Sequence, residues 1–346
     1  MTKLAVIIPC YKVRSHIRNV IANIGPEIER IYVVDDKCPE ESGQFVRDFI
    51  TDKRIHVIMH EYNKGVGGAV VTGYRAALGD GMDIAIKVDG DGQMDPRLAS
   101  VIAEPVIAGK ADYSKGNRFH SVYNVRKMPV ARLMGNAALS FITKLSSGYW
   151  SIFDPTNGYT AIHRTALSRL EFANIDERYF FETDMLINLG NSRAVVKDVA
   201  MEAIYADEES NLKIKKVLGQ FLGKNLKEMI KRIVYTYYLR DFSLASAQLL
   251  LGAAMLLFGL VFGAIHWTGS ITTGETASTG TIMVATLPII LGFQLLLSFL
   301  GFDISNEPKD VLQHYRHFPE EKALSRSAVT MHKARNERSD ARINER

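Results

Sequence analysis

Val88-Asp89-Gly90-Asp91-Gly92-Gln93 places two carboxylates one residue apart, directly after an apolar run that includes Ile84, Ala85 and Ile86. Along an extended strand, side chains two positions apart point to the same side. The pattern therefore predicts that Asp89 and Asp91 present their oxygens together, while Gly90 and Gly92 let a ligand come close to the backbone. Hard divalent cations such as Mg²⁺ or Mn²⁺ take oxygen ligands of this kind, keep some waters, and share coordination with substrate phosphates. A polar turn that merely ends a strand would look the same, so the neighbouring sequence has to decide.

Four short apolar runs, residues 4–9, 30–35, 56–60 and 83–88, have strand length, and several are rich in β-branched residues. Helical patterns near 15–24, 42–51, 67–78 and 96–108 separate them. That alternation predicts an α/β fold, a mainly parallel sheet covered on both faces. Ligands on such sheets bind beyond the carboxyl ends of the strands. Polar groups fall at all four ends: Pro9 and Tyr11, Asp35 and Asp36, Glu61 and Asn63, Asp89 and Asp91. Further strands are expected at 113–118, 158–163 and 194–204, with helices at 129–145 and 181–189.

The stretch Asn63-Lys64-Gly65-Val66-Gly67-Gly68-Ala69 opens a helix. Glycines there admit an anion to free N–H groups, or they serve close helix packing. No Gly-Lys-Ser/Thr follows, so it is not a Walker A loop. Val70 stands where a dinucleotide fingerprint would carry its third glycine.

The chain has 346 residues and its hydrophobicity is uneven. No Asp, Glu, Lys or Arg occurs from Phe242 to Gly274, nor between Glu275 and Phe302. Within these stretches, 244–267 and 282–302 are each long enough for the roughly 20 residues of a spanning helix. Both are apolar all round rather than amphipathic. Lys224, Lys227, Lys231, Arg232 and Arg240 precede the first, and Lys309, Arg316 and Lys322 follow the second. The connector 268–281 has no Lys or Arg. The positive-inside rule then puts both termini in the cytoplasm, with no signal peptide expected. Cys10 and Cys38 make no disulfide framework.

The net charge of +4 is concentrated: residues 211–241 hold eight Lys/Arg against Glu228 and Asp241. A basic segment before a span attracts anionic headgroups at about 1 kcal/mol per basic residue, which favours a bilayer over nucleic acid. Leu212, Ile214, Val217, Leu218 and Phe221 give this stretch an apolar face for lying along the bilayer. The expected divisions are a catalytic unit over 1–210, interfacial helices over 211–241, two spans over 242–303 and a charged tail over 304–346.

Taken in order, Ile7-Ile8-Pro9-Cys10-Tyr11, Val33-Val34-Asp35-Asp36, Asn63-Lys64-Gly65 and the Asp89–Asp91 segment resemble family-2 glycosyltransferases of the Rossmann-like GT-A fold. Gly116-Asn117-Arg118, Asp154-Pro155-Thr156-Asn157-Gly158-Tyr159 and Phe180-Phe181-Glu182-Thr183-Asp184 continue the likeness. With two C-terminal spans, the chain is most similar to dolichol-phosphate mannosyltransferases and other polyprenyl-phosphate glycosyltransferases. It departs at Lys12-Val13, where the family often has Asn-Glu, and at Lys37-Cys38-Pro39-Glu40, in place of a short Gly/Ser-rich turn.

The resemblance implies roles. Pro9, Tyr11 and Asp36 would line the nucleoside pocket with Asp35 beside them, and Asn63, Lys64 and Gly65 would complete the nucleotide-sugar site. Asp89 and Asp91 would hold Mg²⁺ or Mn²⁺ on the donor diphosphate, with Gln93 close to metal and acceptor. Arg118 and Arg132 would grip the acceptor phosphate, and Lys213 and Lys216 would neutralise the diphosphate. Asp154 is the first candidate for a catalytic carboxylate, followed by Asp184 or Glu182. The donor would be a UDP-hexose such as UDP-glucose, or GDP-mannose, and the acceptor undecaprenyl or dolichyl phosphate. A homo-oligomer is compatible with the chain. Two rivals stand beside this: transfer to a lipid or polysaccharide hydroxyl, and a non-catalytic membrane scaffold. The Gln-x-x-Arg-Trp motif of processive synthases is absent.

Overall fold

The computed structural model describes residues 2–119, 130–201 and 214–315. Seven strands form one sheet: β1 (Leu4–Cys10), β2 (Ile28–Asp35), β3 (Ile55–Met59), β4 (Ile84–Lys87), β5 (Tyr113–Asn117), β6 (Thr160–His163) and β7 (Val196–Ala200), in the order β3-β2-β1-β4-β6-β5-β7. Four pairings are parallel, and β6 runs antiparallel to both β4 and β5. The sheet is therefore mixed, with one reversed strand set into a parallel frame.

The central strand shows why the chain folds this way. In β1, Ala5 and Ile7 enter one apolar core and Leu4, Val6 and Ile8 the other, and all five are buried. A strand apolar on both faces must be covered on both. Helices α3 (Val66–Gly79) and α7 (Phe181–Asn191) supply Val70, Tyr74, Met185 and Leu189 to one side. On the other, α1 (Ile17–Ala22), α2 (Ser42–Phe49) and α4 (Ala99–Ile107) supply Ile17, Val46 and Ile102. Between them in sequence come α5 (Val130–Ser147) and the single turn α6 (Arg164–Leu167).

Residues 211–240 are expected to be interfacial. The described part is one long helix, α8 (Ile214–Val234), ending in a π-turn over Tyr235–Arg240. Asn225, Arg232 and Thr236 are buried; Asn225 Oδ1 accepts the Ser146 hydroxyl at 2.6 Å and Arg232 donates to the Leu145 carbonyl at 2.8 Å, both in α5. Leu222, Leu226, Ile230 and Val234, spaced four apart on another face, are exposed, an apolar stripe suited to a bilayer surface. Of the apolar face expected from sequence, Leu212 lies outside the described residues, as do the side chains of Ile214, Val217 and Leu218. Phe221 is partly buried and meets Phe180 edge-on at 4.9 Å.

The two apolar stretches are helices α9 (Leu244–Thr273) and α10 (Thr279–Ser305), long and apolar enough to cross a membrane. Only 11% of the most apolar window of each is buried, which separates them from the core helices of a soluble domain. They run further than the sequence pattern predicts and leave a short connector. Glycines set their spacing: a Cβ on Gly292 would stand 2.7 Å from the backbone nitrogen of Leu256, and one on Gly259 2.7 Å from the Ala285 carbonyl. Small residues of this kind let apolar helices approach closely in lipid.

Candidate active site

The carboxyl edge of the sheet opens on a cleft of about 720 Å³ beyond β1, β2 and β4. There β2 lies on one side of β1 and β4 on the other, the switch point at which an open α/β sheet leaves a crevice. Pro9, Tyr11, Asp36, Asn63, Gly65, Asp89, Asp91 and Glu182 all line it.

Asp89 and Asp91 reach the cleft by a different route from the one their spacing suggests. β4 stops at Lys87, so both lie past the strand, Asp89 at the entry to a turn that includes Gly90 and Asp91. The Gln93 N–H donates to Asp91 Oδ1 at 3.0 Å, and Gly92 takes a φ of +80° that only glycine adopts readily. The chain leaving the strand and its turn, not strand alternation, bring the two carboxylates to one cavity. Gln93 is not among the described residues lining it.

Beneath them lies Lys87, 1% exposed, its Nζ 2.8 Å from Asp89 Oδ1 and 3.3 Å from Glu182 Oε1. Burial alone would lower its pKa, but the two carboxylates outweigh that and hold it above the ordinary lysine value. Room for the cluster comes from Gly158: a Cβ there would stand 2.4 Å from Lys87 Nζ and 2.8 Å from Asp89 Oδ2. Glu182 sits in the first turn of α7.

Asp36 organises the opposite wall. Its Oδ1 accepts the Lys64 N–H at 2.8 Å, its Oδ2 accepts the Gly65 N–H at 2.7 Å, and its carbonyl accepts from Asn63 Nδ2 at 3.1 Å. His60 bridges Asp36 Oδ1, at 2.8 Å, and Thr72 Oγ1, at 2.9 Å. The N–H groups of Lys64 and Gly65 are thus used by a carboxylate of the fold. The glycines here serve packing. A Cβ on Gly67 would stand 2.4 Å from the Asp176 carbonyl and one on Gly65 2.5 Å from that of Glu177, while the Gly68 N–H donates to Glu177. The Lys64 ammonium lies over the Tyr62 ring.

At the end of β5, Arg118 and Asp154 form a two-pronged pair, Nε to Oδ2 at 2.8 Å and Nη2 to Oδ1 at 3.0 Å. Asp154 is fully buried, whereas the Arg118 side chain is about one-third exposed. Both Asp154 oxygens are engaged by Arg118, and neither residue is among those lining the cleft. Nearby, Lys115 donates to the Asn157 carbonyl, and burial pushes its ammonium down to about 8.

Two further candidates are held by backbone N–H groups. Asp35 is buried, taking the Cys38 N–H at 2.7 Å and the Gly43 N–H at 2.6 Å, contacts that shape the turn into α2. Asp184 accepts the Asp176 N–H at 2.7 Å and anchors the loop before α7, and burial pushes its carboxyl up to about 6. That loop brings in Arg178 and Tyr179, which line the cleft and were not anticipated, though they adjoin the Phe180–Asp184 motif. Lys87 and His60 were missed as well. Lys213 and the side chains of Arg132 and Lys216 lie outside the described residues.

Among the described residues, no cluster of three or more His, Cys, Asp or Glu side chains could enclose a metal ion. Asp89 and Asp91 instead bring hard carboxylate oxygens to the cleft, a donor type that fits Mg²⁺ or Mn²⁺ completing its shell from a diphosphate and water.

A family model described as glycosyl transferase family 2 matches residues 5–171. The chain is 30% identical over 215 residues to a UDP-N-acetylglucosamine–dolichyl-phosphate N-acetylglucosaminyltransferase of Methanococcus voltae, covering 58% of this chain and 85% of that protein. It is 27% identical to a polyprenol monophosphomannose synthase of Mycolicibacterium smegmatis, over 66% of this chain and 84% of the relative. Among solved structures, a glucosyl-3-phosphoglycerate synthase from Mycobacterium tuberculosis, in complex with Mn²⁺, uridine diphosphate and phosphoglyceric acid, matches with a TM-score of 0.51. The identity is 16%, over 67% of this chain and 78% of that one, a likeness of fold.

Proposed function

This chain belongs to glycosyl transferase family 2, and on that premise we propose that it moves a hexose from a nucleotide sugar to polyprenyl phosphate. One observation carries the proposal: the Asp89–Asp91 pair and the Arg118–Asp154 pair stand at the same edge of one sheet. The first suits a diphosphate with its cation, the second a phosphate monoester, which Arg binds through its planar fork. The names of the relatives, which pair sugars with dolichyl and polyprenyl carriers, support the acceptor class.

Pro9 and the half-exposed Tyr11 ring would bound the nucleoside, with Asp36 keeping the Asn63–Gly65 segment in shape around it. Asp89 and Asp91 would hold the divalent cation, which supplies Lewis-acid neutralisation of the departing diphosphate. Glu182 would face the sugar. Arg118, oriented by Asp154, would receive the acceptor phosphate with Arg132, while Lys213 and Lys216 would add positive charge near the donor.

The phosphate monoester has a second pKa near 6, so at neutral pH it is mostly a dianion and needs no general base. Its oxygen forms the bond to the anomeric carbon as the bond to the leaving diphosphate breaks, with inversion and no proton transferred. This accounts for an acceptor-side carboxylate, Asp154, committed to an arginine. The apolar helices, and basic residues flanking them on one side only, support a cytoplasmic catalytic unit. The name of the M. voltae relative supports a UDP-linked donor; that of the M. smegmatis relative supports mannose as the second reading.

The test is a panel of UDP- and GDP-sugars, each labelled in the sugar, offered with polyprenyl phosphate in detergent. Label passing to the lipid with one donor supports the assignment. Donor hydrolysis without lipid labelling would remove the acceptor assignment, and no reaction with any donor would favour the scaffold.

A further inference from the structure

The roles above leave Lys87 without one, although it contacts two of the residues they use. It is buried at the floor of the cleft, between Asp89, just after β4, and Glu182, at the start of α7 and 95 positions from the lysine in sequence. The geometry at Asp89 poses a competition. Oδ1 is 2.8 Å from the ammonium, and a divalent cation on the same carboxylate would bring two positive centres together. Lys87 already touches a second seat at Glu182, 3.3 Å away. A lysine ammonium is a compact charge on a flexible stem, and Gly158 leaves its surroundings without a Cβ that would block a small shift.

We propose that Lys87 is a resident counter-ion: it occupies Asp89 in the nucleotide-free enzyme and moves onto Glu182 when a diphosphate brings its divalent cation. The proposal rests on the donor-site reading and adds a property to it. Free divalent cation binds weakly because it must displace Lys87 unaided. The diphosphate, by adding negative charge around the cation, tips the exchange. Cation and nucleotide therefore strengthen each other by the same factor, as linkage requires.

The experiment measures Mn²⁺ bound to the full-length protein by electron paramagnetic resonance, with and without UDP or GDP, corrected for the Mn²⁺–nucleotide complex in solution. Wild type should bind Mn²⁺ alone weakly, with nucleotide tightening it by about tenfold or more. K87M should bind free Mn²⁺ about tenfold tighter than wild type, with the nucleotide effect shrinking toward none. E182Q should do the reverse, since Lys87 then has only Asp89 as a charged partner and holds it more firmly. If K87M does not fold, E182Q alone decides. Free Mn²⁺ binding that is unchanged or weaker in K87M, or tighter in E182Q, overturns the proposal while leaving the donor site intact. Should wild type take up no Mn²⁺ even with either nucleotide, the donor-site reading falls and the proposal with it.

Discussion

Arg232 and Asp303 meet through two parallel hydrogen bonds, Nη1 to Oδ1 at 2.8 Å and Nη2 to Oδ2 at 3.0 Å, with both side chains buried. Trp150 Nε1 donates to the same carboxylate at 2.9 Å and the Tyr237 hydroxyl at 2.5 Å, while Arg232 also reaches the Leu145 carbonyl at 2.8 Å. The end of the second apolar helix is thereby fixed to α8 and to residues 145–150 at the end of α5.

Breaking this pair from one side should be costly. Asp303→Leu leaves a buried guanidinium without its counter-charge, a loss of about 3–5 kcal/mol. Replacing both, as R232M/D303L, should recover much of that, because no charge is then stranded. Thermal unfolding in detergent measures it. Equal destabilisation in the single and double variants would show that the pair is not what joins the two parts.

Asp91→Asn isolates the cation site from the fold. The amide oxygen can still accept the Gln93 N–H, so the turn should persist and the unfolding temperature hold. Turnover should fall about 100-fold or more, the scale of losing one preorganised electrostatic group. Unchanged turnover that still requires a divalent cation would remove Asp91 from the site.

Asp198 gives a pH-dependent prediction. Its Oδ2 takes the Asn117 amide at 3.0 Å and the Phe153 N–H at 2.8 Å, while burial pushes the carboxyl up to about 6. An acid raised in the folded state contributes stability that is full below its unfolded pKa, near 3.9, and lost as pH rises through 6. Asp198→Asn keeps an oxygen for both donors and carries no such loss. The variant should be more stable than wild type by about 1–2 kcal/mol at pH 8, with the advantage gone by pH 4. Unfolding curves across that range decide it; a difference independent of pH would refute it.

Orientation can be read with a thiol. Cys10 and Cys38 are buried and should stay silent in intact cells. Ala277→Cys lies in the connector between α9 and α10, next to Ser278, whose hydroxyl caps α10 and is left intact. An impermeant reagent should label it from outside. Labelling only of a cysteine placed after α10 would mean the catalytic unit faces the other way.

Much of this was legible in the sequence. Strands β1 to β4 follow from apolar runs bounded by polar groups, and the cleft from the residues after them. Other features needed tertiary structure. A lysine closing the run Ile84–Lys87 looks like the first exposed residue of a loop; only the fold brings Glu182 over it. The reversal of β6 leaves no mark, because a short apolar strand has the same pattern in either direction. Arg232 seems, in sequence, to be one of the flanking charges that set topology, yet it pairs with Asp303, 71 positions away. The glycines at 65–68 have one composition for two uses, and the nearby 176–177 backbone decides for packing.

The central claim is transfer to a lipid phosphate, and the mass of the product tests it most directly. Purified enzyme would be given its preferred sugar nucleotide with Mg²⁺ and, in parallel, undecaprenyl phosphate or undecaprenol. The account predicts a single lipid product from the phosphate alone, heavier than undecaprenyl phosphate by one glycosyl residue. A glycosylated undecaprenol, with undecaprenyl phosphate returned unchanged, would contradict it.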